Sequence, residues 1–179
     1  FDLDGRINGG VNLINMYKAP NFISDIEIKE FAANKVKLGD LSIFSNWDNS
    51  NNALQASVKI LKAGSTGSSE VMNFSGKYLP EQSEDNLDFN LNLDNFNLRS
   101  IAPLISDLAN DLKGFASGNV RLGGNMEKPE IQGSLSLMRA GMRINYLNVP
   151  FDFTNQITIS ENAFVLKDMV LYDSLGNKA

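Results

Sequence analysis

The eight residues Leu87-Asp88-Phe89-Asn90-Leu91-Asn92-Leu93-Asp94 alternate without a break. Successive side chains of a strand point to opposite faces, so one face of this run is all Leu and Phe and the other all Asp and Asn. A helix would scatter the same residues around its surface. The pattern therefore fixes a strand with one greasy side and one wet side. It recurs along most of the chain. Leu41 and Ile43 alternate with polar neighbours, as do Leu54, Ala56, Val58 and Ile60 after the turn-like Asn49-Ser50-Asn51-Asn52. Further strands are predicted at residues 143–146, 149–153, 156–160, 164–166 and 169–172. Turn signals separate them at 64–69, 123–125, 161–162 and 174–177. Such short connections favour antiparallel neighbours.

A second regularity is longer. Gly9, Val11, Leu13, Pro20, Phe22, Ile26 and Ile28 match Gly118, Val120, Leu122, Pro129, Ile131, Leu135 and Leu137, each pair 109 positions apart. The unit, about 9–28 and again about 118–137, reads as strand, Gly-rich turn, strand. A repeated unit of this kind points to an extended sheet. Frequent Asn in strands, where it is intrinsically disfavoured, fits a sheet whose outer face needs only to be polar.

One segment breaks the alternation. Ile101, Leu104, Ile105, Leu108 and Leu112 follow helical spacing, with Ser100 as N-cap, Pro103 in the tolerated first turn and Gly114 as stop. The spacing predicts one short amphipathic helix over about 101–113, packed on a sheet face or capping one end.

Composition removes several classes of function. A net charge of −5 with 16 scattered basic residues argues against a nucleic-acid surface. The chain has no His, hence neither the commonest general base nor the commonest zinc ligand, and no Cys. No Ser-x-x-Lys motif is present, and Gly123-Gly124-Asn125 lacks the Lys and helix of a phosphate loop. Trp47-Asp48-Asn49-Ser50-Asn51 offers hard oxygen ligands but no twelve-residue calcium loop, so an Asx turn is expected there. No pair of acids is placed by spacing as a glycosidase pair. Catalytic residues, a bound metal and a cofactor are therefore not expected. No apolar run reaches the roughly 18 residues that span a bilayer. The chain opens in mid-alternation at Phe1-Asp2-Leu3-Asp4, and a piece of a larger protein is expected. Composition by itself favours the closed core of a β-sandwich for the apolar stripe.

The run Gly118-x-Val120-x-Leu122-Gly123-Gly124, then Pro129-x-Ile131-x-Gly133-x-Leu135-x-Leu137, resembles the C-terminal β-rich region of the TamB family. These are the translocation and assembly module proteins, within the AsmA-like group. Leu38-Gly39-Asp40-Leu41 with Trp47-Asp48, the helical segment before Gly114, and residues 149–159 followed by Leu171-Tyr172-Asp173-Ser174-Leu175-Gly176-Asn177 resemble other parts of that region in the same order. The resemblance implies an all-β fold: a long, mostly antiparallel sheet curled into an apolar-lined trough, the β-taco. It implies a single segment, 1–179, of a periplasmic protein anchored in the inner membrane outside this chain. It implies an outer-membrane β-barrel partner of the Omp85 type, and phospholipid moved between the two membranes. On this resemblance an open groove replaces the closed core as the expected form.

The residues expected to line that groove are Leu41, Ile43, Leu54, Val58, Ile60, Phe74, Leu87, Phe89, Leu91, Leu93, Val120, Leu122, Ile131, Leu135, Leu137, Ile144, Tyr146, Phe151, Phe153, Ile157 and Ile159. Acyl chains would lie on them with headgroups at the wet slit. The alternative is a periplasmic β-scaffold that binds client proteins by strand addition at its edges.

Overall fold

A computed structural model of the chain describes residues 2–14, 21–65, 67–160 and 163–166. Pro20 of the repeat and the segments 169–172 and 174–177 lie outside the described residues. Ten strands form one sheet, in chain order from β1 to β10. They are β1 (Leu3–Ile14), β2 (Asn21–Ala33), β3 (Val36–Asp48), β4 (Ala53–Gly64), β5 (Gly67–Tyr78), β6 (Leu87–Asn97), β7 (Ala109–Gly124), β8 (Pro129–Ile144), β9 (Val149–Ser160) and β10 (Ala163–Leu166). Every neighbouring pair is antiparallel. The order is linear, and β1 and β10 do not pair, so the sheet is not a closed barrel. The two strands expected over 149–153 and 156–160 are one continuous β9.

Register explains why the alternation matters. Cross-strand partners point to the same face. The row Ile28, Leu41, Ile60, Met72, Leu93, Gly118, Leu135, Ile157 runs unbroken from β2 to β9. Two residues further along the strands, Ile26, Ile43, Val58, Phe74, Leu91, Val120, Gly133 and Ile159 make a second row. Between these two lies a polar row on the other face: Glu27, Ser42, Lys59, Asn73, Asn92, Asn119, Ser134 and Thr158. Asn119 Nδ2 donates to Asn92 Oδ1 across two of these strands (2.8 Å), so the asparagines that disfavour a strand pair with one another on the wet side.

Just beyond the first apolar row the ladders slip. Register shifts fall between Ile28 and Phe31, Ile60 and Leu61, Leu93 and Phe96, Lys113 and Phe115, and Leu137 and Ala140. Glu30, Asn95, Asp111 and Arg139 hold left-handed backbone (φ 56°, 52°, 56° and 50°) at or beside these slips. A β-bulge bends its strand and increases the local twist. Bulges at one level on successive strands therefore make a crease across the sheet. Asp40 fastens the crease at β2–β3. Its carboxylate accepts from Glu30 N (3.0 Å) and Lys29 Nζ (3.1 Å).

The helix differs from its sequence expectation. It is a 3₁₀ helix, Leu98–Ile105, capped by Asn97, whose side chain accepts from Arg99 N (3.0 Å). Ser100 is not the cap; it is buried inside the first turn and donates to Asn97 O (2.7 Å). Ala109 to Lys113, expected as the last helical turn, already belong to β7, and Gly114 lies within that strand at φ 100°. The pairing of Ala109 with Ile144 and of Asn110 with Arg143 supplies ladder bonds that outcompete a weak helical spacing.

Ile60 is buried in the cluster around Leu38 and Leu41, whereas its neighbour Lys59 is exposed on the polar face. Ile60→Ala is expected to cost about 3 kcal/mol and Lys59→Ala within about 0.5 kcal/mol, read from urea unfolding midpoints. The Glu30 N–H, then the Lys29 ammonium, hold the Asp40 carboxyl below its usual range. A lowered folded pKa adds stability that is complete above the unfolded value, about 3.9, and is lost as pH falls through the folded one. Acid titration should therefore show Asp40 protonating below the usual aspartate range by NMR, and Asp40→Asn should flatten that part of the stability profile.

Candidate functional site: an apolar, concave sheet face

The apolar rows lie on one face, and this face is concave. In a flat sheet the β2–β3 turn and β6 would stand three or four strand spacings apart, about 15–19 Å. Instead, Asn34 Nδ2 in that turn donates to Ser100 O, three residues past the end of β6, at 2.6 Å. The 3₁₀ helix crosses the apolar side between them. Ile101 packs on the cluster of Ala33, Leu38, Leu41, Ile60, Val71 and Phe96. Leu98 packs on a second cluster of Ala116, Leu137 and Ala140. The helix is thus a strap laid across the crease.

The expected lining residues fall as follows. Leu41, Ile60, Leu93, Leu135 and Ile157 stand in the first apolar row, and Ile43, Val58, Phe74, Leu91, Val120 and Ile159 in the second. Phe89, Leu122 and Ile131 make a third with Gly76. Leu54 and Leu87 pair through Tyr78 in a fourth. Leu137 pairs with Ala116 beyond the crease, and Phe151 packs with them. Ile144 closes β8 between Ala109 and Val149. The side chain of Phe153 lies outside the described residues. Tyr146 is a correction. It stands in the turn after β8, 95% exposed, because the strand ends at Ile144.

The face is not uniformly sealed. Leu41, Ile60, Phe89 and Val120 are buried, whereas Ile43, Leu54, Val58, Phe74 and Leu91 are only half-buried. Phe74 and Phe89 stack along it, centroids 4.9 Å apart and planes within 6°. The single polar notch described on this face is Ser24 with Ser45, whose buried hydroxyls bond each other at 2.9 Å in the third row. Sequence reading missed that pair, and it left out Ile26, Ile28 and Met72. The two isoleucines were legible, since they are the repeat counterparts of Leu135 and Leu137.

The charged groups gather elsewhere. A polar cavity of about 670 Å³, lined by Lys77, Asp88, Arg121 and Gln132 among others, belongs to the wet rows. The ion pairs Lys113–Asp152, Arg143–Asp111 and Arg121–Asp88 are all exposed. At the expected Asx turn, Asp48 accepts from Asn51 Nδ2 (2.7 Å), Ser50 N (2.9 Å) and Gln55 Nε2 (3.2 Å). These donors, Asn51 first, lower its pKa. Among the described residues no group of three or more acids is placed to hold a metal ion, and no helix is long and apolar enough to cross a membrane.

Among the described residues the architecture is thus a one-layer antiparallel sheet with an apolar, concave face. Residues 65–137 match the family model described as TamB, N-terminal domain. This match, over less than half of the chain, supports a TamB-family fragment, and the matched domain is the N-terminal one, whereas the motifs had suggested the C-terminal region. Neither the curated proteins nor the solved structures gave a match. The matched domain suggests a TamB-like role in envelope assembly; the TamB family is one of transport and assembly and is not known for catalysis.

The strap can be tested. Asn34 has left-handed backbone (φ 51°), so Asn34→Gly keeps the turn and removes the bond to Ser100 together with the one that Asn34 Oδ1 accepts from Asp2 N (3.1 Å). Loss of about 1–2 kcal/mol is expected, with faster amide exchange at residues 98–105 and at the Asp2 amide and nowhere else.

Proposed function

We propose that this concave face carries phospholipid acyl chains between the inner and outer membranes. The observation that supports the reading is the second apolar row, Ile43, Val58, Phe74 and Leu91, in register yet only half-buried. Protein side chains in a finished core are close-packed and shielded. A row left half-shielded has hydrocarbon contact to offer. Ten strands about 4.8 Å apart give a trough on the order of 43 Å.

An acyl chain lying there exchanges water for Leu, Phe and Ile side chains, at about 0.8 kcal/mol per buried CH₂. The headgroup stays in water at the slit. Movement along the rows replaces one aliphatic contact by the next, which keeps the energy profile shallow and requires no bond-making residue. The full-length protein works in the periplasm, held to the inner membrane by an anchor outside this chain and delivering to an outer-membrane barrel of the Omp85 type.

A photo-crosslinking residue at Leu91, on the apolar face, is expected to capture phospholipid, and one at Asn90, on the wet face, is not. Equal labelling at both positions would sink the proposal. Leu91→Arg places a charge on the hydrocarbon path. It is expected to leave the fragment folded by circular dichroism and to block lipid passage in the full protein; unfolding instead would assign Leu91 to a closed core.

A further inference from the structure

The polar cavity of about 670 Å³ lies over β5 to β8, at the end of β6 opposite the strap. Its floor is the wet face. Lys77 pairs with Asp88 and Gly123 with Glu130 in one polar row, and Arg121 pairs with Gln132 in the next. Its wall is the loop between β5 and β6, which contributes Gln82 and Asp85. That loop is tied to the turns on both sides. Asn52 Nδ2, in the turn after β3, donates to Glu81 Oε2 (3.0 Å), and Asn125 Nδ2, in the turn after β7, reaches Ser83 O (3.5 Å). Leu79 N donates to Asn86 O (2.9 Å) and closes the loop on itself. The cavity is thus shaped before anything enters it.

Gly123 is the telling residue of the floor. Its backbone lies outside the left-handed region, and a Cβ there would meet nothing nearer than Leu87 O at 3.9 Å. Gly118, in the same strand, is different: a Cβ on it would strike Ser134 O of the facing strand. Neither chain conformation nor close approach calls for glycine at 123. Its missing side chain leaves a notch in the polar row.

Both signs of charge line this notch. Arg121 bonds Asp88 (3.2 Å), and its guanidinium has further N–H donors to offer. Lys77, Asp85 and Glu130 have no ion pair among the described residues. An anion alone would face the carboxylates, and a cation alone would face Lys77 and Arg121. A ligand with a phosphodiester and an ammonium group matches both sets. Among the described residues no aromatic side chain lines the cavity, so a quaternary ammonium finds no π face. A primary ammonium donates directly to the carboxylates. The cavity also touches hydrocarbon: Leu87, of the fourth apolar row, is one of its walls. Charge and grease meet at this rim.

We infer that the cavity seats a phospholipid headgroup that carries a phosphodiester and a primary ammonium. The phosphate lies toward Lys77 and Arg121 and the ammonium toward Asp85 and Glu130, while the acyl chains pass Leu87 onto the apolar rows. The assignment rests on the acyl-chain reading above and adds to it a preference among lipids.

The ¹⁵N-labelled 179-residue chain is titrated, below micelle-forming concentrations, with four probes followed by NMR. Three are dihexanoyl phosphatidylethanolamine, phosphatidylcholine and phosphatidylglycerol; the fourth, glycerophosphoethanolamine, has the headgroup without acyl chains. The amides of Asp88, Gly123 and Gly124 are expected to report binding of the ethanolamine lipid about tenfold tighter than that of the other three probes. Gly123→Gln fills the notch with a side chain of the kind its row already bears, and it is expected to abolish the preference while the β6–β8 amides keep their dispersion. Lys77→Gln is expected to weaken binding of the ethanolamine lipid about fivefold. Equal affinity for the three lipids, or no shift at these amides with any of them, overturns the headgroup seat. Equal affinity for glycerophosphoethanolamine and the ethanolamine lipid assigns the cavity to a soluble phosphodiester and overturns it too. Phospholipid captured at Leu91 without any preference at the cavity would sink the seat and leave the trough; no capture at Leu91 with chain-independent binding at the cavity would sink both.

Discussion

In-register alternation is the constraint from which everything else in this sheet follows. A single layer has two faces, and each strand assigns its side chains to them by odd or even position. One slip of one residue would move all the leucines of a strand to the wet side. The rows through Leu41 and Ile43 stay in phase through eight strands because each hairpin returns the chain with the same parity. No second sheet is needed to choose the face. The crease then brings the greasy surface around on itself, and the 3₁₀ helix crosses it where β2–β3 and β6–β8 converge.

The bulges that make the crease carry a cost and a purpose. A non-glycine residue with positive φ is disfavoured by sterics. Four such residues sit at or beside the slips, and three are tied on the outer side. Glu30 bonds Arg6 (2.9 Å) while its N–H meets Asp40, Asp111 bonds Arg143 (3.0 Å), and Asn95 N donates to Ser117 Oγ (2.8 Å). Exposed ion pairs contribute little to stability individually. Their position is the point: they lie at the bend, on strand positions that alternate with those of the apolar rows.

Much of this was legible in the residues. The Leu87–Asp94 alternation dictates β6 and both of its faces, and Asn49 to Asn52 marks the turn after β3. The strands and the two-faced sheet follow from period two alone. The crease was not legible, because a bulge shifts parity by one and blurs the period where it acts. Leu38 shows this. It lies an odd number of positions from Leu41, which predicts the wet face, yet both are buried in one cluster around the glycine at 39. The helix was half legible: Ile101 and Ile105 do belong to it, but Leu108 and Leu112 mimic its spacing from a turn and a strand. Helical spacing over so few residues does not separate a helix from a hairpin approach.

Each strand here touches mainly the strands before and after it in the chain. Such a meander has no long-range pairing to disturb when its length changes. Two strands added or removed as a hairpin leave the direction, phase and face of all the others intact. One strand alone would reverse the run of every strand beyond it. Growth of the sheet by whole hairpins is therefore the change that costs least, and the β1 and β7 counterparts, six strands apart, stand an even number from each other.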